Sequence, residues 1–351
     1  MKPLYTYQNI VELDFPPIIV YAAPLMIALA VLEWFLRRRE YKHEREAALK
    51  TTEGQVIAEK HKYDVKDGWA AAGVGLGYLV STAMVKALTF GVILFFYNLS
   101  PLYMPTTWWS FVACYFVVDF CRYWGHRIAH EQRFWWATHV THHSSEQYNF
   151  SVTFRLSWTQ HIKVIFFIPA ALLGFDPFVF FICMQVGVLY QFWIHTEMIG
   201  RLWAPIEFLL VTPSHHRVHH ATEEKYLDKN YGSTFIIWDR LFGTFAQEEE
   251  TPNYGILKPV NSYNPVHLVF HEHVDIVRDL AKYRHPKAWW RILFHGPGLT
   301  LDKEKNYGFY RKEVGADAGA RSPQSGQKPG TEGKDNSAAE VEEVTPNNVV
   351  V

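Results

Sequence analysis

Residues 108–143 read WWSFVACYFVVDFCRYWGHRIAHEQRFWWATHVTHH, and this stretch decides the fold. Up to residue 123 it is an apolar run whose charged residues are Asp119 and Arg122, near its end. Five histidines follow directly, in the spacings His126-x3-His130 and His139-x2-His142-His143. An apolar helix that leads into a histidine cluster predicts a functional site at one face of a bundle of membrane helices.

A first membrane span is predicted upstream, at residues 15–36. This run of about 22 residues contains one acid, Glu33, and is long enough to cross a hydrocarbon core of roughly 30 Å as a helix. Three arginines follow it at 37–39, whereas residues 1–14 contain a single basic residue, Lys2. Because basic residues favour the cytoplasmic side, we expect residues 1–14 on the non-cytoplasmic side. The run does not have the pattern of a signal peptide, so we expect a retained anchor.

Four further apolar segments follow this anchor, and the last two form a pair. Residues 69–99 form one long tilted span or a broken helix, and residues 108–123 return across the membrane. Residues 164–173 and 178–193 flank a Gly-Phe-Asp-Pro turn, and the first of these arms is shorter than a full span needs. The pair therefore forms either a hairpin that dips into the bilayer or two crossings.

These segments predict an all-α integral membrane protein. We expect about four transmembrane or hairpin helices, capped by a cytosolic helical domain that carries the histidines and two metal ions. The catalytic unit is predicted to span residues 15–310. Residues 311–351 are rich in Gly, Ser, Pro, Glu and Asn and contain too few apolar residues to offset their ordering entropy, so we expect a disordered tail.

Histidine is unusually frequent, with 18 in 351 residues. A third cluster, His216-x2-His219-His220, follows a lone His195. On an α-helix, positions i, i+3 and i+4 return to one face, so each cluster is expected to form one multidentate face. Neutral imidazole binds iron, zinc and copper, and a pair of such ions needs roughly eight to ten donors. We predict nine metal ligands: His126, His130, His139, His142, His143, His195, His216, His219 and His220.

The remaining histidines are expected to serve ordinary surface or core roles. Eight of them are isolated in the sequence: His43, His61, His161, His267, His271, His273, His285 and His295. His215 directly precedes the third cluster, and helix geometry alone does not exclude it as a ligand. We expect that His216→Ala or His220→Ala abolishes metal loading and activity, whereas His215→Ala retains at least part of both.

Composition argues against several other functions. The chain has 34 Lys and Arg against 35 Asp and Glu, a net charge of −1, so no overall basic field exists to hold nucleic acid. The three cysteines lie in apolar stretches without CxxC spacing, which argues against disulfides or a thiolate metal site. No hydrolase motif is present. Gly73, Gly75 and Gly77 follow no strand, so we expect them to allow close helix packing rather than to bind a dinucleotide.

The histidine pattern resembles that of the fatty acid hydroxylase and sterol desaturase superfamily of membrane di-iron oxygenases. The match covers roughly residues 15–310. The residues around the histidines are most similar to those of the alkylglycerol monooxygenase-like branch. The similar stretches are His126–Glu131, Trp136–Asn149, Gln191–Glu197, Thr212–His220, Asp228–Gly232 and Ile237–Phe245. The resemblance implies a helical membrane enzyme whose two irons activate O2 and insert oxygen into a C–H bond of a lipid. It also implies tetrahydrobiopterin or another external reductant as electron donor.

Several polar residues near the clusters are candidates to support the reaction. A metal-bound histidine normally donates its other N–H to a carboxylate or carbonyl. The nearby acids are Asp119, Glu131, Glu146, Asp228 and Asp239, and Glu131, adjacent to His130, is the first choice. We predict Glu131, Asp119 and Asn230 as the catalytic residues that are not metal ligands. The aromatic residues around the clusters, from Trp108 to Trp136, fit an interfacial belt better than substrate contact.

Two alternatives stay open from the sequence. The same site could carry out sterol or fatty-acyl desaturation, or C-4 methyl oxidation, since all begin with hydrogen abstraction. A non-catalytic membrane protein could instead hold zinc, although structural zinc prefers four ligands, often including cysteine. The membrane is expected to be a bacterial inner membrane or a eukaryotic endoplasmic reticulum membrane, with the active site on the cytoplasmic face.

Overall fold

Helices of very different length make up the computed structural model, which describes residues 2–6, 8, 16–48 and 64–297, without the side chains of 41–48. Most of the predicted N-terminal segment, residues 1–14, and the whole predicted tail, residues 311–351, lie outside the described residues. Within the described part, no strand is assigned, and three isolated β-bridges connect loops. The expected all-α architecture is confirmed for this part of the chain.

Two long helices come first. Helix α1 spans Ile18–Ala48 and contains Pro24, and α2 spans Val65–Leu99 as one continuous helix rather than a broken one. Both are long and apolar enough to cross a membrane, since the most apolar 18 residues of each have mean hydropathies of 2.1 within residues 18–40 and 2.0 within 65–99. Only 6% and 11% of their most apolar windows are buried inside the protein. Such exposed apolar side chains suit a lipid environment.

Helix α3, Trp108–Glu131, carries the first histidines. Thr107 begins it with a capping box, in which its side chain accepts a hydrogen bond from Ser110 N while Ser110 Oγ accepts one from Thr107 N. The helix continues past the predicted apolar run by two further turns, so that its polar end projects beyond the apolar segment. This extension places His126 and His130 on a regular helix.

The predicted apolar pair is asymmetric. Residues Gln160–Phe167 form a 3-10 helix that continues into α6, Ile168–Leu172, after the short helices α4, Arg133–Ala137, and α5, Val140–His143. Helix α7 then spans Pro177–Trp193 and is capped by Asp176. The short first arm agrees with the predicted shortage of apolar residues. The buried core between these arms and helices α2 and α3 consists of Ile93, Tyr97, Cys114, Val118, Cys121, Phe167, Ala170, Ala171, Phe175, Val179, Phe180 and Cys183.

The close helix packing predicted at three glycines is confirmed. A Cβ at Gly73 would lie 2.7 Å from Pro265 Cγ, and one at Gly77 would lie 2.2 Å from the Trp158 ring. At Gly75 the nearest atom would be Phe154 O, at 3.1 Å. The cysteines are free and buried, as expected.

The C-terminal half supplies short helices and two longer ones. The short ones are α8, Ala204–Leu209, α9, Pro213–His219, and α10, Ile237–Phe242. Helices α11, Pro265–Lys282, and α12, Pro286–Phe294, are amphipathic and pack against each other and against α4. Helix α11 also packs against the start of α2, through Leu268 and Val269.

Candidate metal centre

All nine predicted ligands come together in two adjoining groups. In each group the ring nitrogens lie within 4.8 Å of one another. The first group consists of His126, His130, His139, His143 and His219; the second consists of His142, His195, His216 and His220. The groups touch, because the rings of His143 and His220 stack with centroids 4.2 Å apart. The six other histidines whose side chains are described and were set aside lie outside both groups.

The spacing of the nitrogens suits one metal ion in each group. In the first group, His139 Nε2 lies 2.8 Å from His126 Nε2 and 3.3 Å from His143 Nε2. In the second, His195 Nε2 lies 2.9 Å from His216 Nε2 and 3.1 Å from His142 Nε2. Metal–nitrogen bonds of about 2.1 Å at right or tetrahedral angles place two donors about 3.0–3.4 Å apart. The residues therefore fit a pair of metal ions.

Two buried nitrogens support the same fit. His130 Nε2 and His219 Nε2, both in the first group, have no hydrogen-bond partner among the described residues. A buried polar atom without a partner is costly, and a metal ligand atom has its partner in the ion. An imidazole-only donor set without thiolate suits iron, zinc, copper or nickel.

The expectation that each cluster forms a single face is wrong for the two His-x2-His-His motifs. Positions i and i+4 point the same way and give the pairs His139/His143 in the first group and His216/His220 in the second. The middle histidine of each motif, His142 or His219, joins the opposite group. Consecutive residues on a helix are rotated by about 100°, so neighbouring histidines point in different directions. Each motif thereby contributes to both groups.

Backbone carbonyls orient three of the ligands. His126 Nδ1 lies 2.8 Å from Tyr231 O, and His219 Nδ1 lies 2.9 Å from Lys229 O. In the second group, His195 Nδ1 lies 2.6 Å from Gln191 O. A carbonyl accepts only, so each Nδ1 donates and the Nε2 lone pair is left for a metal.

Asp119, Asp239 and Asn230 hold the loop that presents two of these carbonyls. Asp119 accepts hydrogen bonds from Thr234 N, Phe235 N and Trp238 Nε1. Asp239 accepts from Tyr231 N and Gly232 N, both at 2.7 Å. The Asn230 amide donates to His215 O and Ala246 O and accepts from Ala246 N. These contacts place all three residues behind the loop rather than beside a ligand ring.

The other predicted acids have different neighbours. Glu131 Oε1 accepts from Arg127 Nε at 3.1 Å, one turn earlier on α3. Asp228 Oδ1 lies 4.0 Å from His130 Nδ1, in the first group. Glu146 packs beside Gly255. The catalytic roles of Glu131, Asp119 and Asn230 stay predictions.

His215 stands apart from both groups. Its Nε2 lies 3.1 Å from Glu207 Oε2, and its Nδ1 is 3.3 Å from Thr212 N. The Glu207 carboxylate also accepts from the hydroxyls of Thr212 and Ser214. His215 therefore joins a polar network at the start of α9 instead of turning toward a metal.

Burial keeps the ligands neutral. Desolvation lowers the pKa of His219 to about 4 and that of His195 to about 3. The pKa of each of the other seven ligands is lowered well below its usual value, again mainly by burial, with neighbouring imidazoles adding to the effect. A neutral imidazole is the form that binds a metal.

Sequence reasoning missed two supports of the second group. The hydroxyl of buried Tyr148 donates to Ile194 O, next to His195, and its ring stacks on that of His195 with centroids 5.9 Å apart. Glu33, on α1, accepts from Phe150 N at 2.6 Å and from the Thr196 hydroxyl. A carboxylate within an apolar span is expected to have a buried polar partner. This signal could have identified Glu33 as a supporting residue from the sequence.

Comparison with known proteins shows what this site is similar to. Residues 111–244, which include all nine predicted ligands, match the fatty acid hydroxylase family model. The alkylglycerol monooxygenase of Homo sapiens is 44% identical over 202 residues, 57% of this chain and 44% of that protein. The one of Caenorhabditis elegans is 38% identical over 171 residues, 48% of this chain and 34% of that protein. An ornithine lipid hydroxylase of Rhizobium tropici is 29% identical over 181 residues, 50% of this chain and 52% of that protein.

Residues 111–244 are thus similar to the fatty acid hydroxylase family, and the relatives with 42–44% identity are alkylglycerol monooxygenases. The superfamily and the branch that the motifs indicated are confirmed, and the family is one of oxidoreductases. The chain spans about half the length, or less, of these relatives. No solved structure matches the chain significantly.

Proposed function

We propose that the protein is a membrane di-iron, O2-dependent monooxygenase that hydroxylates an alkyl C–H bond of a membrane lipid. The observation that carries this proposal is the pair of adjoining imidazole groups, five and four histidines, on one helical scaffold. Two bound irons supply the activation of O2 and the oxidation of the C–H bond. Ether lipids such as alkylglycerols are the first candidate substrates, because relatives named for that activity share the domain.

The chain's own residues prepare the site for such chemistry. Seven of the nine predicted ligands are buried, and the other two, His126 and His139, are partly buried. Exclusion of water protects a reactive site from side reactions. The carbonyls of Lys229, Tyr231 and Gln191 fix the tautomers of His219, His126 and His195, which holds the donor atoms in place.

The membrane arrangement follows from the two long helices. The apolar parts of α1 and α2 cross the bilayer, and α3 with the hairpin completes about four spanning or dipping helices. The basic run at residues 37–39, which follows the apolar part of α1, supports a cytoplasmic location of the histidine-bearing end, in a bacterial inner membrane or an endoplasmic reticulum membrane. Tyr5 N donates to Asn98 Oδ1, so the start of the chain lies near the end of α2, as an up-and-down arrangement requires.

The decisive experiment combines metal analysis with oxygen uptake. Purified full-length protein should contain about two irons per chain and consume O2 only when both a lipid and a reductant are supplied. Tetrahydrobiopterin and other external reductants are tested separately as electron donor. A preparation that turns over with zinc alone, or without metal, would contradict the proposal, and iron-free protein that regains activity with iron is the matched control.

Product mass separates hydroxylation from desaturation. The gain of one oxygen atom, labelled from 18O2, is expected for a monooxygenase. The loss of two hydrogens would instead assign a desaturase that uses the same site. Metal binding without lipid-dependent oxygen uptake under any reductant would assign a non-catalytic metal protein.

A further inference from the structure

A cavity of about 800 Å³ lies beside the first histidine group. Three ligands of that group, His130, His143 and His219, form part of its wall. No histidine of the second group is among the described residues that line it. Among the predicted ligands, only histidines of the first group therefore contact this cavity.

The inner part of the cavity is apolar. Trp136 lies against the ligands, with its ring 5.0 Å from that of His130 and 5.5 Å from that of His143 between centroids. Val140, Val260 and Phe270 continue the wall. Ligand sites of roughly 300–1,000 Å³ with such linings hold small organic molecules, with apolar walls for their hydrocarbon parts.

Charged residues also line the cavity, and the two signs are equal in number: Arg133, Lys258 and Arg278 against Asp228, Glu272 and Asp275. Arg133 Nε and Nη1 lie 2.6 Å from Glu272 and 2.5 Å from Asp279. Arg278 pairs with Asp275 at 3.2 Å. Because these guanidinium groups already have carboxylate partners, an anionic group at the edge would have to compete with them.

Leu257 and Val266 lie at the edge of the cavity, 40% and 54% exposed. Val266 belongs to the first turn of α11, the amphipathic helix that packs against the start of α2. The edge of the cavity thus lies near the start of the apolar helix α2. The head group of a membrane lipid lies at such a boundary between apolar and polar surroundings.

We propose that this cavity is the substrate site, and that it admits an alkyl-chain amphiphile whose polar head has no net charge. The head lies among the paired charges of α11, and the chain lies along Trp136 and Phe270 toward the first histidine group. Oxidation would take place at the first group, while the second stays enclosed beneath Tyr148. This proposal rests on the proposed function.

The test uses full-length protein in detergent and an alkylglycerol with a diazirine on its chain. Photolysis should label peptides containing residues 136–143 and 256–270, as read by mass spectrometry. Val266→Trp narrows the edge, and we expect it to lower the labelling about tenfold with unchanged iron content, in line with the effects of steric change in apolar pockets. Val277→Trp is the matched control, because Val277 lies on the same helix, is 64% exposed and does not line the cavity.

A second variant guards against misfolding of the first. Leu257→Trp places the same bulk on the opposite edge, in a loop, and should lower labelling to a similar degree. Labelling concentrated around Tyr148, or equal in Val266→Trp and Val277→Trp, would overturn the cavity proposal even if the enzyme is an active monooxygenase. Cavity labelling in protein that consumes no O2 would instead refute the proposed function and leave the lipid site standing.

The head-group requirement is tested by competition. An unlabelled amphiphile with the same chain and an uncharged head should displace the probe at about tenfold lower concentration than one with a phosphate head. Equal displacement by the two competitors would overturn this part of the proposal.

Discussion

His142 and His143 are neighbours in the chain, but their rings stand at 87° and belong to different histidine groups. His219 and His220 repeat the arrangement, with the same angle of 87° and the same centroid distance of 5.4 Å. Two dipeptides thus connect the groups at two points. Because a dipeptide cannot stretch, the distance between the two metal positions is set by the backbone.

The unequal sizes of the two groups predict unequal effects of alanine at one dipeptide. His142→Ala leaves the second group with three imidazoles, whereas His143→Ala leaves the first group with four. We therefore expect His142→Ala to lose more iron than His143→Ala, with about one iron per chain remaining in the former. Iron content of purified variants, normalised to protein, is the measurement. Equal losses in the two variants would show that the groups do not load independently.

His215→Ala should be far milder than His216→Ala or His220→Ala. His215 pairs with Glu207, and removal of that contact costs on the order of 1–3 kcal/mol of folding free energy. His216 and His220 provide ligand nitrogens, so each loss opens a coordination position. We expect His215→Ala to retain at least part of the iron and of the activity, and the other two variants to lose both. An iron content in His215→Ala as low as in His216→Ala would mean that the ligand set is wrong.

Asn230 tests how the loop supports the first group. Its φ is +55°, a left-handed conformation that Asn tolerates, and its side chain links three backbone groups at His215 and Ala246. We expect Asn230→Ala to lower the free energy of unfolding by roughly 2–3 kcal/mol and to release iron mainly from the first group. Asn230→Gly removes the side chain without the backbone strain, so the difference between the variants isolates that strain. Unfolding by denaturant and iron content are the measurements, and full iron retention in both variants would contradict the role of the loop.

The sequence alone could identify the nine candidate ligands, because they follow short-range spacing. Pairs at i and i+4, such as His126 and His130, share a face in any α-helix, so their cooperation is a local property. His139, His142 and His143 are divided between two groups because of the way three distant segments of the chain meet. The spacing of histidines in the sequence gives no information about that arrangement. The carbonyls of Lys229 and Tyr231 that orient two of the histidines belong to the backbone, so no residue type in the sequence indicates them. Only the left-handed residues around them, Asp228 and Asn230, mark the turn.

For the membrane helices too, local sequence predicts the elements, whereas contacts between residues far apart in the chain are not predictable from it. The length and hydropathy of residues 15–36 and 69–99 predicted α1 and α2. Asp119 was among the acids predicted to accept a hydrogen bond from a metal-bound histidine. It accepts from the backbone N–H groups of Thr234 and Phe235, far along the chain, which only the folded structure reveals.

Metal-free protein should lose stability in mild acid. The ligand histidines are neutral in the folded protein, since burial lowers the pKa of His219 to about 4 and of His195 to about 3. In the unfolded chain they take up protons below about pH 6.5. The unfolded state then binds more protons, so stability falls as the pH decreases from 6.5 and levels off only near the folded-state values of about 4 and 3.

The size of this effect is up to about 1.4 kcal/mol per pH unit for each such histidine, so several of them together lower the free energy of unfolding of the metal-free protein by several kcal/mol between about pH 6 and pH 5. Iron-loaded protein should resist the same change, because a ligated nitrogen is not free to take up a proton. Denaturant midpoints at pH 7, 6 and 5, with and without iron, provide the comparison. If the metal-free protein were equally stable at all three pH values, the neutral, buried state assigned to these histidines would be wrong.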